Sequence, residues 1–270
     1  MDSSPKLRLS PSKLSTYTNC GLSYKFHYVD HLPSPPTKDT VLGNIGHRGL
    51  ELLFDGPQWD RTPQVLNDSL DRAIEEHAEE LERVFLRDSD AEETCVATAR
   101  EFAHRVFTIM DPSDIHGDTE GSLMVETDAW ELNGRYDLLV YNDDDTVTLL
   151  DWKFGKPAQK RDHRDRLRPL MLYAGMYEIL NPQIKVRDVE LVYLRSTPKG
   201  TVPVVVSAKV DEREIDGGFL RVEAMAESIM HSMETEFRAK PGFLCPWCAY
   251  SALCPVGTAW MQEHGKVKVV

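Results

Sequence analysis

The sequence predicts a mixed α/β (α+β) fold, in which a central sheet with an antiparallel meander is flanked by helices. Two amphipathic helical stretches, 64–87 and 96–110, come before any clear strand signal. The pattern then changes to strand-like runs up to Phe154, followed by a helix, two more strands and a last helix. This order of elements is typical of one main domain built on a mixed sheet.

The composition is that of an ordinary globular protein. Of the 270 residues, 41% are hydrophobic and 28% are charged, and the formal net charge is -13. This acidity argues against a protein that coats nucleic acid through its overall field, although it leaves room for a local basic track. No apolar run is long enough to cross a bilayer, and the first residues lack a signal-peptide pattern. We therefore expect a cytoplasmic protein with no membrane partner.

The N-terminal region predicts two helices. The first begins at Ser10-Pro11, an N-cap residue followed by proline at the first helical position, and delivers Cys20 at its end. The glycine-rich segment 43–53 predicts a second helix whose first turn carries His47. Taken alone, this segment favours a helix-terminal histidine with no ligand role. The importance of His47 therefore depends on independent signs of a metal site.

The two amphipathic stretches are expected to form a covering layer. Apolar residues at helical spacing run from Leu66 to Phe85 and from Val96 to Met110, with acidic residues between them. Cys95 lies among apolar neighbours on the second stretch, so we interpret it as a small core residue.

Three strands are predicted next, over 122–132, 135–141 and 146–154. Asn133-Gly134, between the first two, is typical of a two-residue hairpin turn. The strands would form the antiparallel meander. This arrangement places Asp137 and Asp151 on neighbouring strands, within reach of one cation.

Asp151 and Lys153 are two residues apart in the third strand, so both side chains project from one face while Trp152 points away. An isolated Asp-x-Lys is most simply a strand-end ion pair. Together with Asp137, the pair fits a metal-dependent site that cleaves phosphodiesters. Carboxylates can hold a divalent cation, and an ammonium can orient the attacking water.

The segment 155–168 is predicted as a basic loop beside these carboxylates. It fits a track for nucleic-acid phosphates, and a solvated segment paired with its own aspartates is an equally good interpretation. Its cations are Lys156, Lys160, Arg161, Arg164, Arg166 and Arg168.

The remaining elements complete the predicted sheet and its cover. A helix over 169–180 carries Tyr173. Strands over 189–194 and 202–210 follow, joined by a turn at Pro198-Lys199-Gly200. Asp211 opens an acidic variant of the capping box, which predicts a helix over 211–238.

Three cysteines near the C-terminus predict a bound metal or cluster. Cys245 and Cys248 form a CxxC motif, and Cys254 follows closely. Cys20 is the leading candidate for a fourth ligand, because Cys95 is expected to be buried. Such a site could hold zinc or a 4Fe-4S cluster, and the spacing does not separate the two. It would clasp the two chain ends, worth about 4 kcal/mol if the arithmetic for disulfides applies.

In their order, several motifs resemble those of the RecB-like iron-sulfur branch of the PD-(D/E)xK nuclease superfamily. This branch includes the nuclease domains of bacterial recombination helicase-nucleases and the small CRISPR-associated adaptation exonucleases. The match spans nearly the whole chain, and the order is specific although each motif alone is weak. The motifs are Ser-x-x-Lys-Leu-x-x-Tyr-x-x-Cys at Ser10 to Cys20, Gly-x-x-x-His at Gly43 to His47, Gly-Arg-Tyr-Asp ending at Asp137, Asp151-Trp152-Lys153, Tyr173, and Cys245, Cys248 and Cys254.

The resemblance implies a restriction-endonuclease-like core within a single nuclease domain, 1–270. His47, Asp137, Asp151 and the backbone carbonyl of Trp152 would bind Mg²⁺ or Mn²⁺. Lys153 would position the nucleophilic water and stabilise charge on the phosphate. The expected parts of the domain are an N-terminal helical segment at 1–60, a helical layer at 61–115, the core sheet at 120–210, and the C-terminal helix and cysteine segment at 211–270.

One position departs from the resemblance. Tyr173 occupies the tyrosine of a Gln-x-x-x-Tyr motif that lies beside the site and the DNA, but Pro169 stands at the glutamine position. Either Arg166 or Arg168 replaces the amide, or the substrate is held more weakly. Glu126 is a further candidate for a catalytic carboxylate, and a surface position for it is equally compatible.

The resemblance also implies a cofactor, a substrate and a partner. It favours a 4Fe-4S cluster over zinc at the four cysteines, and an exonuclease acting on single-stranded DNA or DNA ends, often from the 5′ end, in recombination, repair or processing. A separate helicase or recombination protein is an expected partner, because this chain has no Walker-type loop. The alternative is a non-catalytic iron-sulfur DNA-binding or adaptor subunit. Net acidity and Pro169 leave that alternative open, whereas the complete set of site residues argues against it.

Overall fold

The computed structural model describes residues 6–195 and 203–265. The chain divides into two compact units, each assembled from separate stretches of sequence. The first unit comprises Met1–Pro35, Met124–Asn133 and Phe219–Val270, and the second comprises Pro36–Leu123 and Gly134–Gly218. The predicted turn at Pro198-Lys199-Gly200 lies outside the described residues.

Nine helices and eight strands are labelled in the described part of the chain. The helices are α1 Pro11–Asn19, α2 Gly21–Tyr24, α3 Lys38–Asp55, α4 Pro63–Glu76, α5 Ala78–Phe85, α6 Ser89–His104, α7 His163–Leu180, α8 Glu212–Glu234 and α9 Pro255–Glu263. The strands are β1 Leu7–Leu9, β2 Gly117–Thr119, β3 Ser122–Glu126, β4 Trp130–Arg135, β5 Leu138–Tyr141, β6 Thr146–Lys153, β7 Lys185–Tyr193 and β8 Val204–Lys209. Within these ranges, no helix combines the length and the apolar composition needed to span a bilayer.

A five-stranded mixed sheet forms the centre of the second unit, with the strand order β2-β5-β6-β7-β8. The strands β6 and β7 run parallel, and the other neighbours run antiparallel. All four residues from Val147 to Leu150 on the central strand β6 are buried, as expected for a strand covered on both faces.

Helices of the second unit cover this sheet. The helices α3, α4 and α6 pack on one another, and their apolar side chains form one core with Leu150, Trp152 and Phe154. The helix α7 contacts β6, β7 and β8. These contacts confirm the predicted mixed sheet flanked by helices, and Cys95 is buried in the helical layer as expected.

The first unit contains α1 and most of a three-stranded sheet with the order β1-β4-β3. Aromatic side chains pack its N-terminal segment, and the rings of Tyr24 and Phe237 stack with 5.8 Å between centroids. The helix α1 starts after Ser10, whose hydroxyl oxygen accepts a hydrogen bond from the Lys13 N–H. It ends so that Cys20 follows directly, which confirms that prediction.

The predicted hairpin turn at Asn133-Gly134 is wrong, because both residues lie inside β4. The chain turns earlier, where the Thr127 hydroxyl oxygen accepts hydrogen bonds from the N–H groups of Ala129 and Trp130. The first strand of the predicted meander is also wrong, since β5 pairs with β2 while β4 pairs with β1. The antiparallel pairing of β5 with β6 is as predicted.

The position of His47 within its helix also differs from the prediction. Thr37 caps α3 by accepting a hydrogen bond from the Thr40 N–H, so the helix begins well before the glycine-rich segment. His47 therefore lies in the middle of α3, where neighbouring turns fix its direction, rather than in the first turn.

The basic segment is only partly a loop. The helix α7 begins at His163 instead of Pro169, so Arg164, Arg166 and Arg168 lie on its first turns. Pro169 lies within the helix, although proline favours the first helical position. Leu167 and Leu170 are buried on either side of it, so packing of the helix overrides the local preference.

Candidate functional site

Helix α3 approaches the β6 segment closely enough to bring His47 to the sheet. A Cβ atom on Gly46 would lie 2.1 Å from the ring of Phe154, so only glycine permits this approach. His47 then lies beside the same ring, with 5.3 Å between centroids. Gly43, which belongs to the recognised Gly-x-x-x-His motif, has no such neighbour within 4 Å. The glycine directly before the histidine is therefore the one that positions it.

Asp137 connects this helix to the sheet. Its Oδ2 atom lies 3.1 Å from Nδ1 of His47 and accepts a hydrogen bond of 2.6 Å from the backbone N–H of Trp152. Asp137 directly precedes β5, so the pairing of β5 with β6 holds its carboxylate at the end of the ladder. The structure thus brings together two of the residues singled out from the sequence.

Asp151 and Lys153 form an ion pair on β6. Between them, Trp152 is buried and stacks on Phe54, with 5.9 Å between ring centroids, so the alternation of faces is the predicted one. The side chain of Asp151 is only 15% exposed. Its buried Oδ2 atom has the Lys153 ammonium as a charged neighbour but no hydrogen bond of good geometry.

Sequence reasoning misses Glu120, which the structure places beside His47 and Asp137. One ligand atom from each of these three residues lies within 4.8 Å of the other two. Glu120 has a left-handed backbone conformation with φ of 51°, which is unusual for glutamate and is found at functional sites. Its carboxylate forms an ion pair with Arg135. The only sign of Glu120 in the sequence is a carboxylate directly before Gly121. The strand that positions it, β2, is too short to be predicted from the sequence.

Burial, together with neighbouring negative charge, raises the pKa of two carboxyl groups of the site, Glu120 and Asp151. Burial, followed by the charge of Asp137, raises the pKa of Glu120 to about 7. Burial also raises the pKa of Asp151, with Lys153 opposing the shift and Asp137 adding to it. Burial is the largest influence on His47 and alone would lower its pKa, but the hydrogen bond to Asp137 and the negative charges of Asp137 and Asp151 together outweigh it, so the pKa is raised.

This donor set fits a divalent cation. Carboxylate oxygens and an imidazole are suitable ligands for Mg²⁺ or Mn²⁺, and a cation among them would relieve the repulsion that raises the carboxyl pKa values. Asp151 is outside the tight group of His47, Glu120 and Asp137, but its pKa responds to the charges of both His47 and Asp137. A cation bound by the group would therefore also interact with Asp151.

Tyr173 lies on α7 beside the Gly-Arg-Tyr-Asp motif. A Cβ atom on Gly134 would be 2.6 Å from its ring, so this glycine allows the close approach. Burial raises the pKa of Tyr173 to about 12, and the negative charge of Asp151 adds to the shift, while a hydrogen bond from the Arg135 backbone opposes it. Tyr173 is therefore a neutral phenol next to the carboxylates.

The basic segment contains both paired and unpaired cations. Lys156, Lys160 and Arg166 are exposed, and none of them has an ion-pair partner within the described ranges. The segment is thus partly self-paired and leaves three cations for an external phosphate. The ion pairs join Arg161 to Asp162, Arg164 to Glu214 and Arg168 to Asp165.

Glu126, the other candidate carboxylate, lies on β3. Its side chain is exposed and pairs with Lys6 at 2.9 Å. Of the two interpretations of Glu126 that the sequence allowed, the described structure agrees with the surface position. Glu120, rather than Glu126, is the carboxylate that lies beside His47 and Asp137.

The four predicted cysteine ligands lie in the first unit as free thiols. Backbone N–H groups are directed at three of the sulfur atoms, and hydrogen bonds of this kind tune sulfur ligands of clusters. The donors are Lys240 to Cys20 at 3.4 Å, Gly242 to Cys245 at 3.3 Å and Gly257 to Cys254 at 3.2 Å.

Two of these sulfur atoms, those of Cys245 and Cys254, lie beside Gly257. A Cβ atom on Gly257 would lie 3.3 Å from Sγ of Cys254 and 3.5 Å from Sγ of Cys245, so both thiols face this glycine. The N–H of Cys248 donates to the carbonyl of Cys245 at 3.2 Å in the same turn. Three of the four thiols, those of Cys20, Cys245 and Cys254, thus already have backbone donors, as sulfur ligands of a cluster do.

Comparisons with known proteins identify the family. No curated protein matches the sequence significantly. Among solved structures, a candidate exonuclease from Eubacterium rectale shares 12% identity at a TM-score of 0.56, over 96% of this chain and 94% of its own, which shows similarity of fold. The structure of SSO0001 shares 10% identity at a TM-score of 0.43, over 94% and 88% of the two chains. A family model for the PD-(D/E)XK nuclease superfamily matches residues 8–255, nearly the whole sequence, so the chain belongs to this superfamily.

Proposed function

We propose that this chain is a Mg²⁺- or Mn²⁺-dependent deoxyribonuclease of the RecB-like iron-sulfur branch. It hydrolyses phosphodiester bonds in single-stranded DNA or at DNA ends, as an exonuclease with 5′ to 3′ polarity. The observation that carries the proposal is the group of His47, Glu120 and Asp137, in which the charges of His47 and Asp137 also act on Asp151.

Metal binding is assigned to the carboxylates and the imidazole. His47, Asp137, Asp151 and the backbone carbonyl of Trp152 are the proposed ligands, and Glu120 joins them because it lies in the same group. A divalent cation held there would supply a Lewis acid that activates water and neutralises charge on the phosphate.

The remaining side chains orient the reacting groups. Asp151 holds the Lys153 ammonium on the same face of β6, and this ammonium positions the attacking water and stabilises negative charge on the phosphate. Tyr173 stays protonated at neutral pH, because its pKa is about 12, and it donates a hydrogen bond to the substrate.

Exposed cations provide the proposed contact with DNA. Lys156, Lys160 and Arg166 have no carboxylate partner in the described part of the chain, so they can neutralise phosphates without first breaking an ion pair. A separate helicase or recombination protein is the proposed partner in repair or recombination.

The four cysteines are proposed to hold a 4Fe-4S cluster, with zinc as the alternative. The N–H groups directed at Cys20, Cys245 and Cys254 support a bound cluster. Its role is to clasp the N-terminal and C-terminal segments rather than to take part in hydrolysis. Free thiols suit a reducing compartment, which supports a cytoplasmic location.

The deciding experiment uses anaerobically purified protein with single- and double-stranded DNA and Mn²⁺, each DNA end being labelled in turn. We expect release of 5′-terminal products first. Asp151→Ala should lower the rate on the order of a thousandfold while absorbance and thermal unfolding remain unchanged. Glu101→Gln, which removes an exposed carboxylate on α6, is the matched control and should retain activity.

A non-catalytic iron-sulfur subunit is the second candidate, favoured by Pro169 at the position of the substrate-binding glutamine. It predicts DNA binding without cleavage by the unaltered chain. Metal-dependent cleavage that persists in Asp151→Ala would instead refute the assigned site.

A further inference from the structure

Exposed apolar side chains concentrate in one short stretch near the C-terminus. Trp247 and Phe243 have exposed fractions of 73% and 68%. We call the whole set the apolar patch. It consists of Phe243, Leu244, Trp247, Leu253 and Val256, all of which are substantially exposed.

The fold keeps this stretch compact. Residues 245–247 and 251–253 form two single-turn helices that contact each other and α9. The Trp247 N–H donates to the Leu244 carbonyl at 3.0 Å, and the Leu253 N–H donates to the Tyr250 carbonyl at 3.0 Å. The turns that present the patch are thus fixed by backbone hydrogen bonds and by their contacts with α9.

The charge around the patch is unusual for this chain. About one residue in six of the sequence is Asp or Glu, and the net charge is -13. From Phe237 to Gln262, however, no acidic residue occurs, and the charged residues are Arg238 and Lys240. Both are exposed, and neither forms an ion pair with a described residue. The Lys240 ammonium donates to the carbonyl oxygen of Thr18 at 3.0 Å, which leaves its charge uncompensated.

We propose that the apolar patch binds the single-stranded part of the DNA substrate, with bases stacked on Trp247 and Phe243 and phosphates near Arg238 and Lys240. Proteins that bind single-stranded DNA combine exposed aromatic rings with cations, because unpaired bases of any sequence can stack on the rings. The absence of carboxylates from 237–262 makes this stretch a favourable approach for a polyanion. This inference rests on the proposed nuclease function and specifies where its substrate is held.

A second copy of the chain is a less suitable occupant. A symmetric dimer through the patch would bring the Arg238 and Lys240 cations of both copies into one interface, and no carboxylate of the stretch would compensate them.

Another exposed tryptophan provides an internal control. Trp59 is 84% exposed but lies next to Asp60, in a short turn of the second unit. Both tryptophan rings are exposed, but of the two only Trp247 lies in an acid-free stretch of the sequence.

The test measures equilibrium binding of a fluorescent oligothymidine and of a blunt duplex to the full, cluster-loaded chain without added divalent ions. All variants carry Asp151→Ala to prevent cleavage. Trp247→Ala combined with Phe243→Ala should weaken binding of the oligothymidine about tenfold or more, with little change for the duplex. Trp247→Phe should retain most of the affinity, and Trp59→Ala should leave it unchanged.

Absorbance and thermal unfolding confirm that each variant keeps its cluster and fold, and sedimentation measures its oligomeric state. Unchanged oligothymidine affinity in the double variant would overturn the inference, as would a dimer that the same substitutions dissociate. Cleavage by the chain with Asp151 intact is measured in parallel. A chain that cleaves but ignores the patch overturns this inference alone, whereas one that binds through the patch but never cleaves overturns the proposed nuclease alone.

Discussion

The two proposed ligand sites differ in their charge before any ligand binds. We call His47, Glu120 and Asp137 the carboxylate group, and Cys20, Cys245, Cys248 and Cys254 the cysteine group. In the carboxylate group, charged side chains from α3, the end of β2 and the start of β5 crowd together, and the pKa of Glu120 rises to about 7. In the cysteine group, thiols carry no charge until they lose a proton, and backbone N–H groups already face three of the sulfurs. Crowding in the first group therefore lowers the stability of the metal-free protein, while the second group would add stability only with the proposed cluster bound.

The largest effect is expected from Cys20→Ala. Losing one of the four proposed ligands should abolish the brown chromophore that a 4Fe-4S cluster would give the protein, and should lower the free energy of unfolding by about 4 kcal/mol, the value expected for such a clasp. Cys95→Ala is the matched control, since this buried thiol lies in the helical layer and should leave the chromophore intact. Iron and zinc analysis with thermal unfolding provides the measurement. A colourless zinc protein would contradict the cluster, and an unchanged metal content in Cys20→Ala would contradict its role as a ligand.

The next largest effect is a pH dependence of the free energy of unfolding, which we expect Glu120 to cause. Its folded pKa of about 7 lies above the ordinary value of 4.5, so protonation favours the folded state. The stability it contributes is fully present below about pH 4.5 and is lost as the pH rises through about 7, a change of about 2 to 3 kcal/mol. Urea unfolding without divalent ions across this range measures it.

Glu120→Gln should flatten this pH dependence and also reduce the stabilisation gained on adding Mn²⁺ at pH 7.5, because it removes both the repulsion and a ligand. Glu126→Gln, on the exposed β3 position, should keep the slope of the unaltered chain. Equal slopes for both variants would show that the crowding of carboxylates does not control stability.

The smallest of the three effects is a difference in stability between alanine substitutions at two glycines of α3, Gly46 and Gly43. Gly46→Ala forces a methyl group against Phe154 and should cost about 1 to 3 kcal/mol, together with weaker stabilisation by Mn²⁺ as His47 is displaced. Gly43→Ala has open space and should be neutral or raise stability by up to about 1 kcal/mol. Thermal unfolding of both variants, with and without Mn²⁺, tests this. The same response from both would mean that the close approach of α3 does not position the histidine.

The sequence was most informative where chemistry and local periodicity coincide. Asp151 and Lys153 share a face because strand alternation is strict, and buried Trp152 confirms the register. The helical layer was also predictable, since its apolar spacing is regular. The cysteine ligands stay a prediction, which began from the spacing of Cys245, Cys248 and Cys254, and the structure adds backbone donors to Cys20, Cys245 and Cys254.

Other features depend on tertiary contacts that no local pattern encodes. Glu120 joins His47 only because β2 pairs with β5 and places its end beside α3. Asn133-Gly134 has the composition of a turn, but Gly134 is needed where Tyr173 packs on β4. Pro169 has the preference of a helix start, yet buried neighbours keep it inside α7. In each case long-range packing outweighs a local preference.

The hydrogen bond from the Trp152 amide to Asp137 makes the main chain of β6 a reporter of the site. This amide proton of β6 points at the Asp137 carboxylate, which also faces His47, so its environment changes whenever that carboxylate changes partner. The NMR resonance and the exchange rate of this single proton should therefore follow ligand occupancy directly. Such a signal is available in the resting protein, before any substrate is added or any bond is cut.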